Sequence, residues 1–426
     1  MNEPSAQMIH PPPSYAIGAN GQPATAIDRV VGVLIALYVL VGRWSPSRIS
    51  DSDIAGSLFE PRIWIVAILA VLTVLCDTDP NADRNAGTRR RITYSLTGLF
   101  VYLIVSALWA LPGEYRSARV VDVAILLICT VSIYRLLGAG NAPSMARWFW
   151  ITISICGVIL ILFASTSQMV RGQRMAALGG GPNVFGRNMG LLFIAALSMM
   201  DLSASRWYWA PAVVIAPLMT VMSGSRGAVL GLIAAVVVCV ILRRFRVHEA
   251  MIVACCLGIA IFFLSQPDRW GAFSDVYERR FKTFGLDSAN MDGRRPLYGA
   301  AIDLGKEHPI AGAGLSSYSA LWAEYGYTYP HNLILEVFSE GGVIGLIFLL
   351  MALGAGMWQA LKARGEKTWA PFAALALMLV ASQISGDLYD SRAIFVFLLM
   401  ALAPSGTARD DAFITSTSAN EDEEAG

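Results

Sequence analysis

Long apolar runs alternate with short polar segments along most of this chain. Most of the runs are about 20 residues long, which is the length that an α-helix needs to cross a hydrocarbon core. The pattern predicts helices near residues 26–43, 62–78, 92–112, 119–137, 147–165, 186–201, 206–222, 227–242, 249–265, 331–360, 369–386 and 391–404. We therefore predict an all-α integral membrane protein with about twelve transmembrane helices.

The amino-acid composition indicates the same class of protein. Hydrophobic residues make up 55% of the chain and charged residues 15%, whereas soluble domains carry about 25% charged residues. A transmembrane β-barrel would show short segments of alternating polarity instead. The six cysteines lie in or beside apolar runs, so they predict neither disulfides nor a zinc site. We expect no metal and no cofactor.

Three segments divide the chain. Residues 1–25 are polar and residues 405–426 are acidic and rich in Ser and Thr, and such segments cannot bury a core. We predict that both are disordered cytoplasmic tails. Residues 26–404 between them form the predicted polytopic membrane domain.

The distribution of basic residues in short loops predicts the orientation. With the N-terminus inside, the clusters Arg89–Arg91 and Arg243–Arg246 face the cytoplasm. The longest polar segment, residues 266–330, then lies outside as an extracytoplasmic loop that contains short helices. A chain that concentrates its polar residues in one loop is expected to carry out its chemistry there.

Several arginines fall on the outer side, where the orientation rule does not require them. An arginine at the hydrocarbon edge costs roughly 2.5–3.5 kcal/mol, so it needs a partner. Arg226 lies in a Ser-Gly-Ser-Arg-Gly turn, in which a guanidinium can bind a phosphate through two parallel hydrogen bonds. The alternative is a boundary arginine that extends toward water. Arg294 and Arg295 also permit two interpretations, an anion site or a solvated charge pair.

His331 lies where Pro330 gives way to an apolar helix. A helix N-terminus favours anions, and an imidazole there can act as a base near neutral pH. The alternative is a histidine that is hydrogen-bonded in a helix interface. Asn332, Glu336 and Glu340 follow at helical spacing on one face, and a polar stripe on a spanning helix is expensive enough to favour a function.

Several short motifs, in order, resemble the bacterial O-antigen ligase and polymerase superfamily. They are Gly181-Pro182-Asn183, Ser-Gly-Ser-Arg-Gly-Ala at 223–228, Arg294 four residues before Tyr298, Pro-Ile-Ala-Gly-Ala-Gly at 309–314, His-Asn-Leu-Ile-Leu-Glu at 331–336, and Glu-Gly-Gly-Val-Ile-Gly at 340–345. The resemblance covers about residues 170 to 350. The chain departs from the family in having Tyr298 where Trp is frequent, and two adjacent arginines where one is usual.

The resemblance implies a membrane-embedded glycosyltransferase of the C-type architecture, metal-independent and inverting. It would transfer a glycan from an undecaprenyl-pyrophosphate donor to an acceptor hydroxyl at the outer face of the bacterial cytoplasmic membrane. Arg226 and Arg294 would hold the pyrophosphate, and His331 would assist the acceptor hydroxyl. Candidate substrate-binding residues are Arg171, Arg174, Asn183, Arg295, Asn332 and Glu336.

The expected partners are the lipid-linked glycan donor, a glycan or lipid acceptor and membrane lipid, with no nucleic acid. Two alternatives remain open at this point. A polymerase would use the same donor chemistry and extend a lipid-linked chain. A flippase or transporter of lipid-linked glycans would also explain many helices and outer arginines, although transporters commonly show internal repeats, and none is visible between the two halves of this sequence.

Overall fold

The computed structural model describes residues 24–42, 44, 60–76, 86–166, 174–202, 206–243, 294–362 and 369–402. These parts of the chain form α-helices with short 3₁₀ turns and no β-strand. The predicted helix at 249–265, most of the predicted outer loop (266–293), Arg171, residues 1–23 of the predicted N-terminal tail and the whole predicted C-terminal tail lie outside the described residues.

The helices follow the predicted apolar runs. They are α1 (Ala26–Val41), α2 (Pro61–Leu75), α3 (Ala86–Ser106), α4 (Arg116–Ala139), α5 (Ala142–Thr166), α6 (Pro182–Leu202), α7 (Ala210–Met222), α8 (Arg226–Arg243), α9 (Arg295–Glu307), α10 (Ser317–Trp322), α11 (Leu333–Lys362), α12 (Trp369–Ser382) and α13 (Arg392–Met400). Every run predicted within the described residues therefore forms a helix, with ends that shift by several residues. The two short helices α9 and α10 lie in the last part of the predicted outer loop.

Five helices within the described residues are long and apolar enough to cross a membrane, namely α4, α5, α6, α8 and α11. Helices α2, α7 and α12 are apolar but shorter. The structure thus supports a helical membrane protein with several spans, while the predicted number of about twelve is larger than these five.

The centre of the bundle is formed by α6, α12 and α13. In α6, 89% of the most apolar stretch is buried by other helices, and every residue of α13 is buried. Helices that are apolar on all sides belong inside a bundle. Exposed large apolar residues lie on peripheral helices, such as Val74 on α2 and Leu162 on α5, where a bilayer would cover them.

Helix α11 is broken in its first half, which the apolar run at 331–360 did not predict. At Gly342 the backbone adopts φ 61° and ψ −160°, a conformation that is open to glycine and strained for other residues. The segment 308–316 inserts at this break. Ala313 N–H donates to Ser339 O at 2.9 Å and Gly314 N–H to Glu340 O at 3.0 Å.

The hydrogen bonds at the break run in both directions. On its far side, Val343 N–H donates to Pro309 O at 2.9 Å and Ile344 N–H donates to Ile310 O at 3.2 Å. Irregular backbone is tolerated inside a membrane domain only where other protein groups satisfy it. The inserted segment provides those groups, and it thereby connects α9 and α10 rigidly to α11.

We predict that Gly342→Ala destabilises the protein. A Cβ at this position would lie 2.3 Å from Ile310 O, and the backbone conformation, which is essentially restricted to glycine, costs about 1–3 kcal/mol for other residues. Thermal unfolding of the purified protein in detergent measures the effect.

Gly354→Ala in the same helix is the matched control, because a Cβ there meets nothing within 4 Å. Alanine is favoured over glycine in a helix by about 1 kcal/mol, so this variant should be at least as stable as the wild type. Equal stability of the two variants would show that the insertion does not constrain the fold.

Candidate functional site

The chain between α12 and α13, residues 383–391, is the meeting point of the polar side chains at one end of the bundle. We call this segment the α12–α13 connection. Its groups bind side chains from α4, α6, α9 and the start of α11, as Arg119, Arg187, Tyr298 and Asn332 each make a hydrogen bond to it. Three of the predicted site residues, Asn183, Asn332 and Glu336, make hydrogen bonds to this segment.

His331 lies two residues before α11 in a left-handed backbone conformation, with φ 60°. Its ring packs edge-on against Tyr329, with 4.5 Å between centroids and an interplanar angle of 69°. The Nδ1 atom is buried and has no hydrogen-bond partner among the described residues. A buried ring nitrogen without a protein partner is available to a bound molecule.

The charges around His331 determine its protonation. Burial, together with the positive charges of Arg294 and Arg187, lowers the pKa of His331 to about 4, and the negative charge of Asp387 opposes this. The sequence predicted a base that titrates near neutrality. With its pKa lowered to about 4, the imidazole is therefore neutral at pH 7 and is a weaker base than a free histidine, because burial and the nearby cations disfavour its charged form.

The structure distinguishes Arg294 from Arg295. Arg294 is half-buried at the N-cap of α9, whereas Arg295 is exposed. The charge of Arg294 acts on both His331 and Tyr298, and the Tyr298 hydroxyl donates to Gln383 O at 3.2 Å. Arg294 is therefore the arginine whose charge acts on the histidine, and Arg295 is more exposed.

Arg174 and Asn183, which were candidates for substrate binding, make contacts within the protein. Arg174 donates through Nε to Ser223 O at 3.1 Å and through a terminal nitrogen to Asn183 Oδ1 at 3.0 Å. Asn183 Nδ2 in turn donates to Ser385 Oγ at 2.8 Å. These bonds join the turn before α8 to the α12–α13 connection. The contacts position Arg226, which begins α8 directly after that turn.

Glu336 is bound by protein groups on both of its carboxylate oxygens. The guanidinium of Arg119 donates to Glu336 Oε1 and to Asp387 Oδ2, at 2.6 Å each. Leu388 N–H donates to Glu336 Oε2 at 2.9 Å, and Asp390 N–H donates to Asp387 Oδ1 at 2.7 Å. The side chains of the three ionised residues are 9% exposed or less. Glu336 thus holds α4, α11 and the α12–α13 connection together.

The other members of the predicted polar stripe also have protein partners. Asn332 caps α11, since Leu335 N–H donates to its Oδ1 at 3.0 Å, and its Nδ2 donates to Gln383 O at 3.1 Å. Glu340 is buried and lies against the backbone N–H groups of Ser316 and Tyr318. Each stripe residue thus has a protein partner, while the buried Oε1 atom of Glu340 has no hydrogen-bond partner among the described residues.

Three residues of this site were not predicted from the sequence, namely Arg119, Arg187 and Asp387. Arg187 lies on α6 and donates to the carbonyls of Ala381, at 3.1 Å, and of Ser385. A sequence signal does exist for each of them. Arg119 and Arg187 are cations at the ends of apolar runs, and Asp387 lies in the polar interruption between the last two runs.

We predict that Arg119→Met lowers the free energy of unfolding by about 3–5 kcal/mol, because it removes the cation that two buried carboxylates bind. Chemical or thermal unfolding in detergent measures the change. The control is Lys306→Met, which breaks a pair with Asp303 at 3.8 Å whose side chains are 70% and 72% exposed. An exposed pair contributes about 0–1 kcal/mol. Similar losses in both variants would contradict a special role of the buried triad.

Comparison with known proteins shows which family this chain resembles. Residues 211–350 match the family model described as O-Antigen ligase, and this range contains Arg226, Arg294 and His331. The exopolysaccharide production protein ExoQ of Rhizobium meliloti (strain 1021) is 22% identical over 396 aligned positions, which cover 86% of this chain and 81% of ExoQ. Both matches are similarities to an O-antigen ligase-like superfamily, and they support its assignment.

Proposed function

We propose that this protein transfers a glycan from an undecaprenyl-pyrophosphate-linked donor to an acceptor hydroxyl. One observation carries the proposal. The buried Nδ1 of His331 has no hydrogen-bond partner within the described residues, and the ring lies in the positive field of Arg294 and Arg187. A proton acceptor next to an anion-binding group is the combination that glycan transfer from a pyrophosphate requires.

Arg226 and Arg294 bind the donor pyrophosphate in this proposal. Arg294 is half-buried beside His331, and Arg226 is the first residue of α8, where helical N–H groups also face an anion. Pyrophosphate is a good leaving group, so the main requirement is stabilisation of its developing charge. Two guanidinium groups provide that stabilisation without a metal ion.

His331 acts as the base. As the acceptor oxygen forms its bond to the anomeric carbon, the bond from that carbon to the pyrophosphate oxygen breaks and the hydroxyl proton passes to the imidazole. Attack opposite the leaving group inverts the anomeric configuration. The negative charge of the bound pyrophosphate offsets that of Arg294, so donor binding raises the pKa of His331 from the low value of the free protein.

The proposed setting is the bacterial cytoplasmic membrane, with about twelve spans, both termini in the cytoplasm and the site at the outer face. The partners are the lipid-linked donor, a glycan or lipid acceptor, and membrane lipid. A polymerase is the second candidate, because a relative named for exopolysaccharide production aligns with most of the chain. The two functions share the donor and differ in the acceptor.

Transfer assays with defined lipid-linked donors test the proposal. Purified protein is given the donor with and without a separate acceptor, and the products are identified by mass. Movement of the glycan to the separate acceptor indicates a ligase, and a longer lipid-linked chain indicates a polymerase. Transport of an unchanged donor without any new glycosidic bond would contradict both.

We predict that Arg294→Lys and Arg226→Lys each reduce kcat by about 10²–10³, the usual cost of removing one donor to a developing oxyanion. Lysine keeps the charge and loses the two-pronged geometry. Arg295→Lys is the matched control, since that side chain is exposed, and it should retain activity. A result in which Arg295→Lys is inactive and Arg294→Lys is active would reverse the assignment.

We predict that His331→Gln reduces transfer by about 10²–10⁴, the typical contribution of a general base. For the wild type, kcat/KM reports the free enzyme and should fall on the acid side near the pKa of about 4. The fall in kcat should occur at higher pH, because it reports the donor complex.

His308→Gln is the control, because His308 is exposed at the end of α9. This variant should keep the wild-type pH dependence of both kcat and kcat/KM. Near-normal turnover of His331→Gln, with an unchanged acid limb, would show that His331 is not the base.

A further inference from the structure

Gln383 lies directly after α12 and joins two parts of the site through its main chain. Its carbonyl oxygen accepts a hydrogen bond from the Tyr298 hydroxyl at 3.2 Å and another from Asn332 Nδ2 at 3.1 Å. Tyr298 lies on the helix that carries Arg294 at its N-cap, and Asn332 is the neighbour of His331. Gln383 is therefore fixed between the proposed pyrophosphate-binding arginine and the proposed base.

The orientation of the Gln383 side-chain amide follows from its partners. Nε2 donates to Leu379 O at 3.1 Å and to Ser382 Oγ at 3.0 Å. Ser382 Oγ uses its own hydrogen to donate to Leu379 O at 2.8 Å. A peptide carbonyl can only accept, so the nitrogen and not the oxygen of the amide must face Leu379. The two ends of the amide are thereby distinguished.

The amide oxygen is then directed away from both partners. Oε1 is buried and has no hydrogen-bond partner in the described parts of the chain. Leaving a buried acceptor without a donor costs about 1–3 kcal/mol, and native proteins rarely do so without a reason. The Nδ1 atom of His331, the residue before Asn332, is also buried and has no hydrogen-bond partner among the described residues.

The Asn332–Gln383 hydrogen bond joins the segments that carry these two unpartnered atoms. The chemistry of the amide oxygen selects the kind of ligand group that can bind it. A phosphate offers only acceptor oxygens, so it matches the arginines and not Gln383. A hydroxyl group offers a donor hydrogen and matches an amide oxygen well. A ligand with anionic and hydroxyl-rich parts would therefore place its phosphates at the arginines and a hydroxyl at Gln383.

We infer that Oε1 of Gln383 accepts a hydrogen bond from a glycan hydroxyl, which makes Gln383 a specificity-determining residue of the site. The inference rests on the proposed function, since it assumes that a glycan occupies this site. The hydroxyl belongs either to the sugar of the donor or to the acceptor. A site built to bind a hydroxyl rejects the analogue that lacks it far more strongly than an apolar pocket does.

The test combines Gln383→Met, which has similar volume and no strong acceptor, with substrates that lack single hydroxyl groups. The variant should lower kcat/KM for the normal substrates by about 10- to 100-fold. One deoxy substrate should show the same loss with the wild type and no further loss with the variant. A deoxy donor with this behaviour assigns the hydroxyl to the donor, and a deoxy acceptor assigns it to the acceptor.

Gln359→Met is the matched control, because Gln359 lies near the far end of α11; it should leave kcat/KM unchanged. Gln383→Leu is the second variant if Gln383→Met does not fold. Thermal unfolding and the binding of undecaprenyl pyrophosphate without a glycan should be unaffected by either change. Loss of that binding would show that Gln383 is structural and would overturn the inference.

A binding measurement separates failure of this inference from failure of the proposed function. The substrate that carries the hydroxyl, donor or acceptor, should bind Gln383→Met about tenfold less tightly than it binds the wild type, even if no transfer occurs. A wild type that transfers no glycan contradicts the proposed function. Equal affinity of wild type and variant for both the glycan-bearing donor and the acceptor, or equal losses for every deoxy substrate, contradicts the role of Gln383.

Discussion

The ionic contact of Arg119 with Glu336 and Asp387 is the interaction on which the site end of the bundle depends. It joins α4, α11 and the α12–α13 connection, at 2.6 Å to each carboxylate. Ionised groups in a low-dielectric interior are tolerated only when each is paired and hydrogen-bonded. Each carboxylate also accepts a backbone N–H from the connection. The pairing therefore fixes the connection, and the connection carries the contacts of the other site residues.

The same requirement explains the break in α11. A helix interrupted inside a membrane domain exposes backbone groups that lipid cannot satisfy, and the segment 308–316 satisfies them at Gly342. The inserted segment lies between α9, which carries Arg294 at its N-cap, and α10, whose first N–H groups face Glu340. The break thus fixes the position of the outer helices relative to the start of α11, where His331 lies.

Electrostatics connects the two parts of the proposed reaction, which are pyrophosphate binding by the arginines and proton transfer to His331. The cations that suit a pyrophosphate also lower the pKa of His331, which keeps the imidazole neutral and ready to accept a proton. A bound anion offsets those charges and makes the imidazole more basic. In the proposed reaction, donor binding would thereby prepare His331 as the base, and the hydroxyl-binding role inferred for Gln383 would align the glycan in the same step.

The sequence by itself determined the helical membrane class, the helix positions within the described residues, and Arg226, Arg294 and His331 as candidates. Hydropathy is a local property, and motifs are short, so both are visible without a fold. Only the tertiary structure decided that Arg294 is half-buried and acts on His331 while Arg295 is exposed, that Glu336 is bound by Arg119, and that α11 breaks at Gly342. Those outcomes depend on which distant segments meet. Arg119 and Glu336 are 217 residues apart, and no local pattern encodes that contact.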